Sequence, residues 1–158
     1  MDYRIYLAGQ MAPDRRTVEW RKLFTKGVSD CSNVVILDPS LNEAFKQTLT
    51  GEEALMSVYK SDVGKLIVSK DRAMVKEANV LIADLNKYDD EKIVLGTLFE
   101  LAWAYDDPAT TVIVIGDELA GTMLFHPFVI STADIIVKTT EEAIALVRWM
   151  AGSEVKEY

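Results

Sequence analysis

The sequence predicts an α/β fold in which a parallel sheet is covered by helices on both faces. Three observations carry this expectation. Five short apolar runs rich in valine and isoleucine recur along the chain. Several are near-continuous rather than alternating, which is how strands buried on both faces read. Stretches with helical apolar spacing separate them. At 158 residues the chain can also bury one sizeable core without disulfides or metals.

The strands are expected at residues 3–8, 33–37, 79–85, 111–115 and 134–137. A first helix over 14–28 places Trp20, Leu23, Phe24 and Gly27 on one stripe. A shorter helix fits 52–60. A third runs from Ser61 or Asp62 as cap to Glu77, with Val63, Leu66, Ile67 and Met74 inward. Residues 96–105 form a fourth. Residues 140–151 form a fifth, capped by Thr139 or Thr140, with Ala143, Leu146, Val147 and Met150 in register. The order β-α-β-α-β-α-β-β-α implies a right-handed, doubly wound, Rossmann-like sheet of five parallel strands, with a flavodoxin-like strand order. Ligands of such folds bind outside the carboxyl ends of the strands, so the loops at 9–13, 38–49, 86–93 and 116–127 matter most. No repeat, linker or low-complexity tract divides residues 1–158, which read as a single domain.

Composition narrows the function. With 25 acidic and 17 basic residues the formal charge is −8. That field repels phosphate polymers and anionic lipid, so neither nucleic acid nor a membrane surface is an expected partner. A small nucleoside remains admissible. No apolar run approaches a membrane span, no signal peptide is expected, and the lone Cys31 suits a reducing cytoplasm. One histidine, His126, and one cysteine exclude the usual zinc sites. No Gly-x-Ser-x-Gly elbow, dinucleotide fingerprint or P-loop is present. No metal or organic cofactor is expected.

Three residues break the apolar pattern. Glu100 is the only charged residue between Ile93 and Tyr105. Its desolvation needs an explanation. A start near Gly96 and Thr97 would put it in a first helical turn, where free N–H groups and the dipole favour an anion. It then reads either as a nucleophile or as the glutamate of a Thr-x-x-Glu capping box. Asp71 lies four after Ile67 and three before Met74, on a stripe that should be apolar, or at its edge beside Lys70 and Arg72. Tyr6 sits inside the first strand, where it can bond a buried carboxylate or simply fill the core. The strand ends in Ala8-Gly9, which allows close approach of a ligand to the backbone. Arg15, Arg16 and Arg21 form a basic patch that either meets a 5′-phosphate or is a solvated helix face. Asp89, Asp90 and Glu91 form an acidic loop.

Taken in order, Tyr-Leu-Ala-Gly ending the first strand, Asp71 eight residues before Asn79, Ala-Asp-Leu ending the third strand, and Gly-Thr-Leu-Phe-Glu-Leu-Ala-Trp-Ala over 96–104 resemble the nucleoside 2-deoxyribosyltransferase family. The resemblance implies that Glu100 is the nucleophile, that Tyr6 orients it, and that Asp71 contacts the nucleoside and assists proton transfer at the base. It implies substrate contacts at Ala8, Gly9, Gln10, Asp84, Asp90, Gly96 and Thr97, with Tyr158 reaching a neighbouring subunit's site. It further implies a homo-oligomer, a dimer or trimer of dimers, acting on deoxynucleosides and free nucleobases. Val94 stands six residues before Glu100, where the family often carries an aspartate; Asp89, Asp90 or Glu91 would have to substitute. Gln10 also stands where many relatives have another residue.

The chemistry suits these residues. Cleavage of an N-glycosidic bond passes through an oxocarbenium-like state that one carboxylate can trap while a second acid protonates the leaving base, the logic of retaining glycosidases. Trp103, Phe45, Phe125 and Phe128 are available either to stack on a base or to fill the core. Three alternatives stay open. One is an N-glycosidase of deoxynucleoside 5′-monophosphates, using Arg15 and Arg16, although GQMAPDRR lacks the glycines and serine of that branch. Another is a non-catalytic nucleoside-binding module. The third is a phosphoribohydrolase, whose Pro-Gly-Gly-x-Gly-Thr-x-x-Glu loop matches here only at its Gly-Thr-Leu-Phe-Glu end.

Overall fold

In a computed structural model, five strands make one all-parallel sheet in the order β2-β1-β3-β4-β5. The strands are β1 (Tyr3–Gly9), β2 (Val34–Leu37), β3 (Val80–Asp84), β4 (Thr111–Ile115) and β5 (Ile135–Val137). The structure describes residues 1–12, 14–40, 62–90 and 94–154, with the backbone alone at 62 and 63. The helix expected at 52–60, the Ser61 cap, the side chain of Val63, and Phe45, Glu91 and Tyr158 lie outside the described residues.

The helices are α1 (Arg16–Gly27), α2 (Asp62–Glu77), α3 (Leu95–Tyr105), α4 (Pro127–Thr132) and α5 (Thr140–Met150). This is the doubly wound, flavodoxin-like architecture the sequence predicts. The central strands β1, β3 and β4 are apolar on both sides because each side meets a helix layer, whereas Val35 on β2 and Ile135 and Ile136 on β5 are exposed. One core gathers Ile5, Leu7, Trp20, Phe24, Ile82 and Ile144 between the sheet and α1 and α5. The other gathers Tyr6, Ala8, Val75, Leu81, Leu101 and Val129 beneath α2, α3 and α4. Each fully buried Ile or Leu contributes about 1.5–3 kcal/mol relative to an exposed one.

Several expectations need correction. A 3-10 segment at Glu118–Phe125 occupies the stretch read as a loop over 116–127, and α4 follows it where no element was expected. Their starts were too short to show a period, but their caps are ordinary. The Asp117 carboxylate accepts from the Leu119 N–H at 2.8 Å. The His126 Nδ1 accepts from the Phe128 N–H at 3.4 Å, with Pro127 at the first helical position. Leu23 and Leu66 face solvent rather than the core. On α1 the buried stripe is Thr17, Trp20, Arg21 and Phe24, so an arginine takes the place a leucine was expected to fill. At α5 the Thr139 hydroxyl is the cap, accepting from the Glu142 N–H at 3.2 Å.

Candidate active site

The site lies at the carboxyl edge of the sheet, where β1 and β3 adjoin α3. The strand β1 alternates, so Tyr6 and Ala8 face the α2 and α3 side, while Ile5 and Leu7 face α1. The buried face of α3 is Thr97, Glu100, Leu101 and Ala104. Its outward face carries Leu95, Leu98, Phe99 and Tyr105, all exposed. The helix is thus mixed: its one carboxylate points in beside Leu101, while Leu95, Leu98, Phe99 and Tyr105 point out. Hydrophobic burial alone cannot produce that arrangement, so a polar partner must hold Glu100 inside.

The partner is Tyr6. Its hydroxyl donates to Glu100 Oε1 at 2.7 Å in a buried setting. Burial pushes the Glu100 carboxyl up to about 7. The Tyr6 hydrogen bond opposes the rise, the charge of Asp71 adds to it, and Arg21 and Lys70 hold it down. Burial, followed by the charges of Glu100 and Asp71, drives the Tyr6 phenol upward, so it stays protonated and remains a donor. Asp71, on α2, keeps 19% side-chain exposure and lies 3.1 Å from Lys70 Nζ through Oδ1. The Asp71 charge thus acts on both Tyr6 and Glu100, the tyrosine and glutamate being joined by the hydrogen bond.

The reading of Glu100 as a capping-box glutamate is overturned. Helix α3 begins at Leu95 with Val94 as its N-cap, and no acidic residue occupies its first turn. Glu100 sits one turn deeper, beyond reach of the free N–H groups, and Thr97 is buried on the same stripe rather than capping.

On the other face of the sheet, a second tyrosine–carboxyl pair forms. Asp84 lies opposite Gly9 in the β1–β3 register. It accepts from the Tyr88 hydroxyl at 2.7 Å and the Asn86 N–H at 3.0 Å. Burial pushes its carboxyl up to about 6. Gln10 ties the neighbouring loop down. Its Oε1 accepts from the Tyr88 and Asp89 N–H groups at 2.8 and 3.0 Å, and its Nε2 donates to the Asp89 carbonyl at 2.8 Å. Arg16 donates to the Tyr88 carbonyl at 3.0 Å and is paired with Asp14 at 2.7 Å.

Asp90 is 98% exposed at its side chain, 3.6 Å from Lys87, and does not fold back towards Glu100. Gly96 is exposed, and a methyl group there would meet nothing within 4 Å. Phe125 and Phe128 project into solvent, whereas Trp103 packs on the second core and meets Phe99 at 6.0 Å between ring centroids. Arg15 pairs with Glu19 at 3.4 Å on the surface.

Gly9 has a use the sequence did not show. A Cβ there would lie 2.9 Å from Trp20 Cζ2 and 3.3 Å from Arg21 Nη2. The space beside the backbone is filled by these two side chains rather than left for a ligand. Gly9→Ala is accordingly expected to destabilise the fold by about 1–3 kcal/mol, as other overpacked cores do. The check is a urea titration, in which the midpoint falls and the slope stays unchanged.

Arg21, named only as part of a basic patch after the first strand, is instead buried; Tyr88 and the clamping part of Gln10 were not foreseen. Arg21 was legible: it lies four after Thr17 and three before Phe24, on the buried stripe of α1. The loop contacts of Gln10 and Tyr88 are long-range and have no local signal.

Among the described residues, no group of three or more His, Cys, Asp or Glu could hold a metal ion. No helix among them is long and apolar enough to cross a membrane.

The fold and the buried tyrosine–glutamate pair define a flavodoxin-like α/β protein with an ionisable site at its sheet edge. No protein-family model matches the chain, and no curated protein matches its sequence. Solved structures do match. A conserved protein from Enterococcus faecalis V583 is similar at 15% identity, over 95% of this chain and 99% of that one, with a TM-score of 0.66. A 2-deoxyribosyltransferase from Bacillus psychrosaccharolyticus is similar at 15% identity, over 98% of both chains, with a TM-score of 0.63. At these identities the likeness establishes the shared fold.

Proposed function

We propose that this chain transfers a 2-deoxyribosyl group between nucleobases by way of a covalent ester on Glu100. The observation that carries the reading is the buried Tyr6–Glu100 bond of 2.7 Å, on a helix that turns its one carboxylate inward while Leu95, Leu98, Phe99 and Tyr105 are exposed. A likeness in fold to a 2-deoxyribosyltransferase supports it.

In the first half-reaction a Glu100 carboxylate oxygen attacks C1′ of the deoxynucleoside as the C1′–N bond breaks. The bond's electrons leave with the base, and Asp71 supplies the base's proton. In the second, a nitrogen of the incoming base attacks C1′, the ester C–O bond breaks, and Asp71 takes up the acceptor's proton. Tyr6 holds the carboxylate in place in both. Water in place of the second base gives slower hydrolysis, since Glu100 is only 9% exposed. The step needs no metal or organic cofactor.

The outward apolar face of α3 supports a second copy of this chain as partner, giving a homo-oligomer. One buried thiol, Cys31, suits a cytoplasmic enzyme of base salvage. A preference for 5′-monophosphates draws no support from the arginines after β1, since Arg15, Arg16 and Arg21 all contact protein groups.

The test is chromatographic. With deoxyinosine and adenine together, deoxyadenosine should form along with hypoxanthine; with deoxyinosine alone, hypoxanthine should appear more slowly. Equal hypoxanthine release in both tubes would make the protein a hydrolase. Binding without any product, for nucleosides and 5′-monophosphates alike, would make it a non-catalytic module.

A further inference from the structure

A glutamine buried to 3% exposure must satisfy its amide inside the protein. Gln10, just past the end of β1, does so on the loop that follows β3. Its Oε1 accepts from the Tyr88 and Asp89 N–H groups at 2.8 and 3.0 Å, and its Nε2 donates to the Asp89 carbonyl at 2.8 Å. The side-chain amide thus does for the loop what a neighbouring strand does within the sheet. Arg16 adds a bond to the Tyr88 carbonyl at 3.0 Å and lies over the Tyr88 ring, 5.2 Å from its centroid. The near end of the loop is tied to the segment after β4. There Asn86 Oδ1 accepts from the Asp117 N–H at 2.9 Å, and the Lys87 N–H donates to the Leu119 carbonyl at 3.2 Å.

The place matters. A sheet of order 2-1-3-4-5 seats its ligands at the crevice between β1 and β3, and Gln10 spans that crevice. The chain leaves β3 at Asp84, passes Asp89 and enters α3 at Leu95. Two side chains from the β1 segment hold this stretch: Gln10 at residues 88 and 89, and Tyr6 at Glu100. The packing of Leu101 and Ala104 on the second core is non-directional, so it does not by itself fix where the Glu100 carboxylate points. One hydrogen bond at Glu100 leaves the helix free to turn about it. A second tie ahead of the helix removes that freedom.

We propose that Gln10 is a positioning residue for Glu100, a clasp across the β1–β3 crevice that fixes the approach to α3 and makes no contact with substrate. It takes the place of the substrate contact that the resemblance implies at Gln10. The inference rests on Glu100 being the nucleophile, but its geometric content can be tested without turnover. Gln10→Met keeps the volume and loses all three bonds. Gln10→Glu keeps the acceptor for the two N–H groups and loses the donor to the Asp89 carbonyl. Tyr6, Asp71, Lys70 and Arg21, which act on the Glu100 charge, are the same in both variants.

The experiment pairs transfer kinetics with a carbon-13 NMR titration of the full chain labelled at glutamate carboxyls, the Glu100 signal being assigned in each protein by its absence after Glu100→Gln. Burial holds the Glu100 carboxyl up at about 7. A helix released from its clasp admits water, so the midpoint should fall towards 4.5 in Gln10→Met and less far in Gln10→Glu. In Gln10→Met kcat should drop by on the order of 10–100-fold, the effect of a misplacement of about 1 Å. KM for donor and acceptor should stay near the parent's, and Gln10→Glu should restore part of the rate. A raised KM with kcat unchanged would make Gln10 a substrate contact and overturn the proposal. A merely structural glutamine would lower the urea midpoint and leave both kcat and the Glu100 titration where they were, which also overturns it. If Gln10→Met does not fold, Gln10→Glu decides: an unmoved titration and an unmoved kcat overturn the proposal. Absence of transfer in the parent protein would overturn the proposed function, while the titration would still decide whether Gln10 holds Glu100 in place.

Discussion

Glu100→Gln is expected to lower deoxyribosyl transfer by on the order of 10³-fold or more, as removal of other covalent nucleophiles does. The substitution is nearly isosteric. An amide oxygen still accepts the Tyr6 hydroxyl, so the packing of α3 on β1 is retained, but the amide cannot form a glycosyl ester. Quenched reactions of the parent protein should show a mass gain of one deoxyribosyl group, absent from the variant. Near-normal transfer by the variant would remove Glu100 from the mechanism.

The same substitution has a signed effect on stability. The Glu100 carboxyl titrates near its ordinary value of 4.5 when unfolded and at about 7 when folded. Between those values the folded state binds more protons than the unfolded one, so stability falls as pH rises. Below pH 4.5 the group is neutral in both states and costs nothing. Above about 7 the full cost of a buried charge is present, on the order of 3 kcal/mol. Glu100→Gln should therefore be more stable than the parent protein at pH 8 and equal to it at pH 4, measured by urea midpoints. A residue that sacrifices stability at working pH is what a site requires and a core does not.

The fold was legible because its signals are local. The five apolar runs and the helical stripes of α1, α2, α3 and α5 each announce an element within a few residues. Register followed less well. On α1 the buried stripe admits Arg21 and releases Leu23, because the Gly9 and Thr17 carbonyls accept from the guanidinium and Asp38 pairs with it at 3.6 Å. The site was legible in part for the opposite reason. Glu100 and Asp71 stand out since they contradict their own helices, and a side chain that breaks its local pattern needs a long-range partner. The partner's identity, Tyr6, came from the resemblance and not from spacing, since nothing in the run YRIYLAG separates a core tyrosine from a donor. Gln10 meets Tyr88 across 78 residues of sequence, and Asp84 lies beside Gly9 through the β1–β3 pairing; no local rule reaches that far.

Asp71→Asn separates the two carboxyl groups. If Asp71 protonates the departing base, the variant should lose about 10²–10⁴-fold in transfer from ordinary deoxynucleosides, the usual worth of a placed general acid. A deoxynucleoside whose purine is already quaternised at N7 leaves without needing that proton, so its cleavage should be nearly unaffected. A role confined to binding would weaken both substrates alike, and that result would take proton transfer away from Asp71. The pH profile supplies an independent sign. Asp71 raises the Glu100 carboxyl by like-charge repulsion, while its neighbour Lys70 lowers it. Removing the aspartate charge relieves the repulsion and leaves Lys70 uncompensated, so both changes favour the Glu100 carboxylate. Its acid limb should move below about 7 even as the overall rate collapses. A variant that is slower yet ionises its nucleophile more readily would show that the nucleophile's charge is not what limits the reaction. It would assign the lost rate to the leaving group's proton.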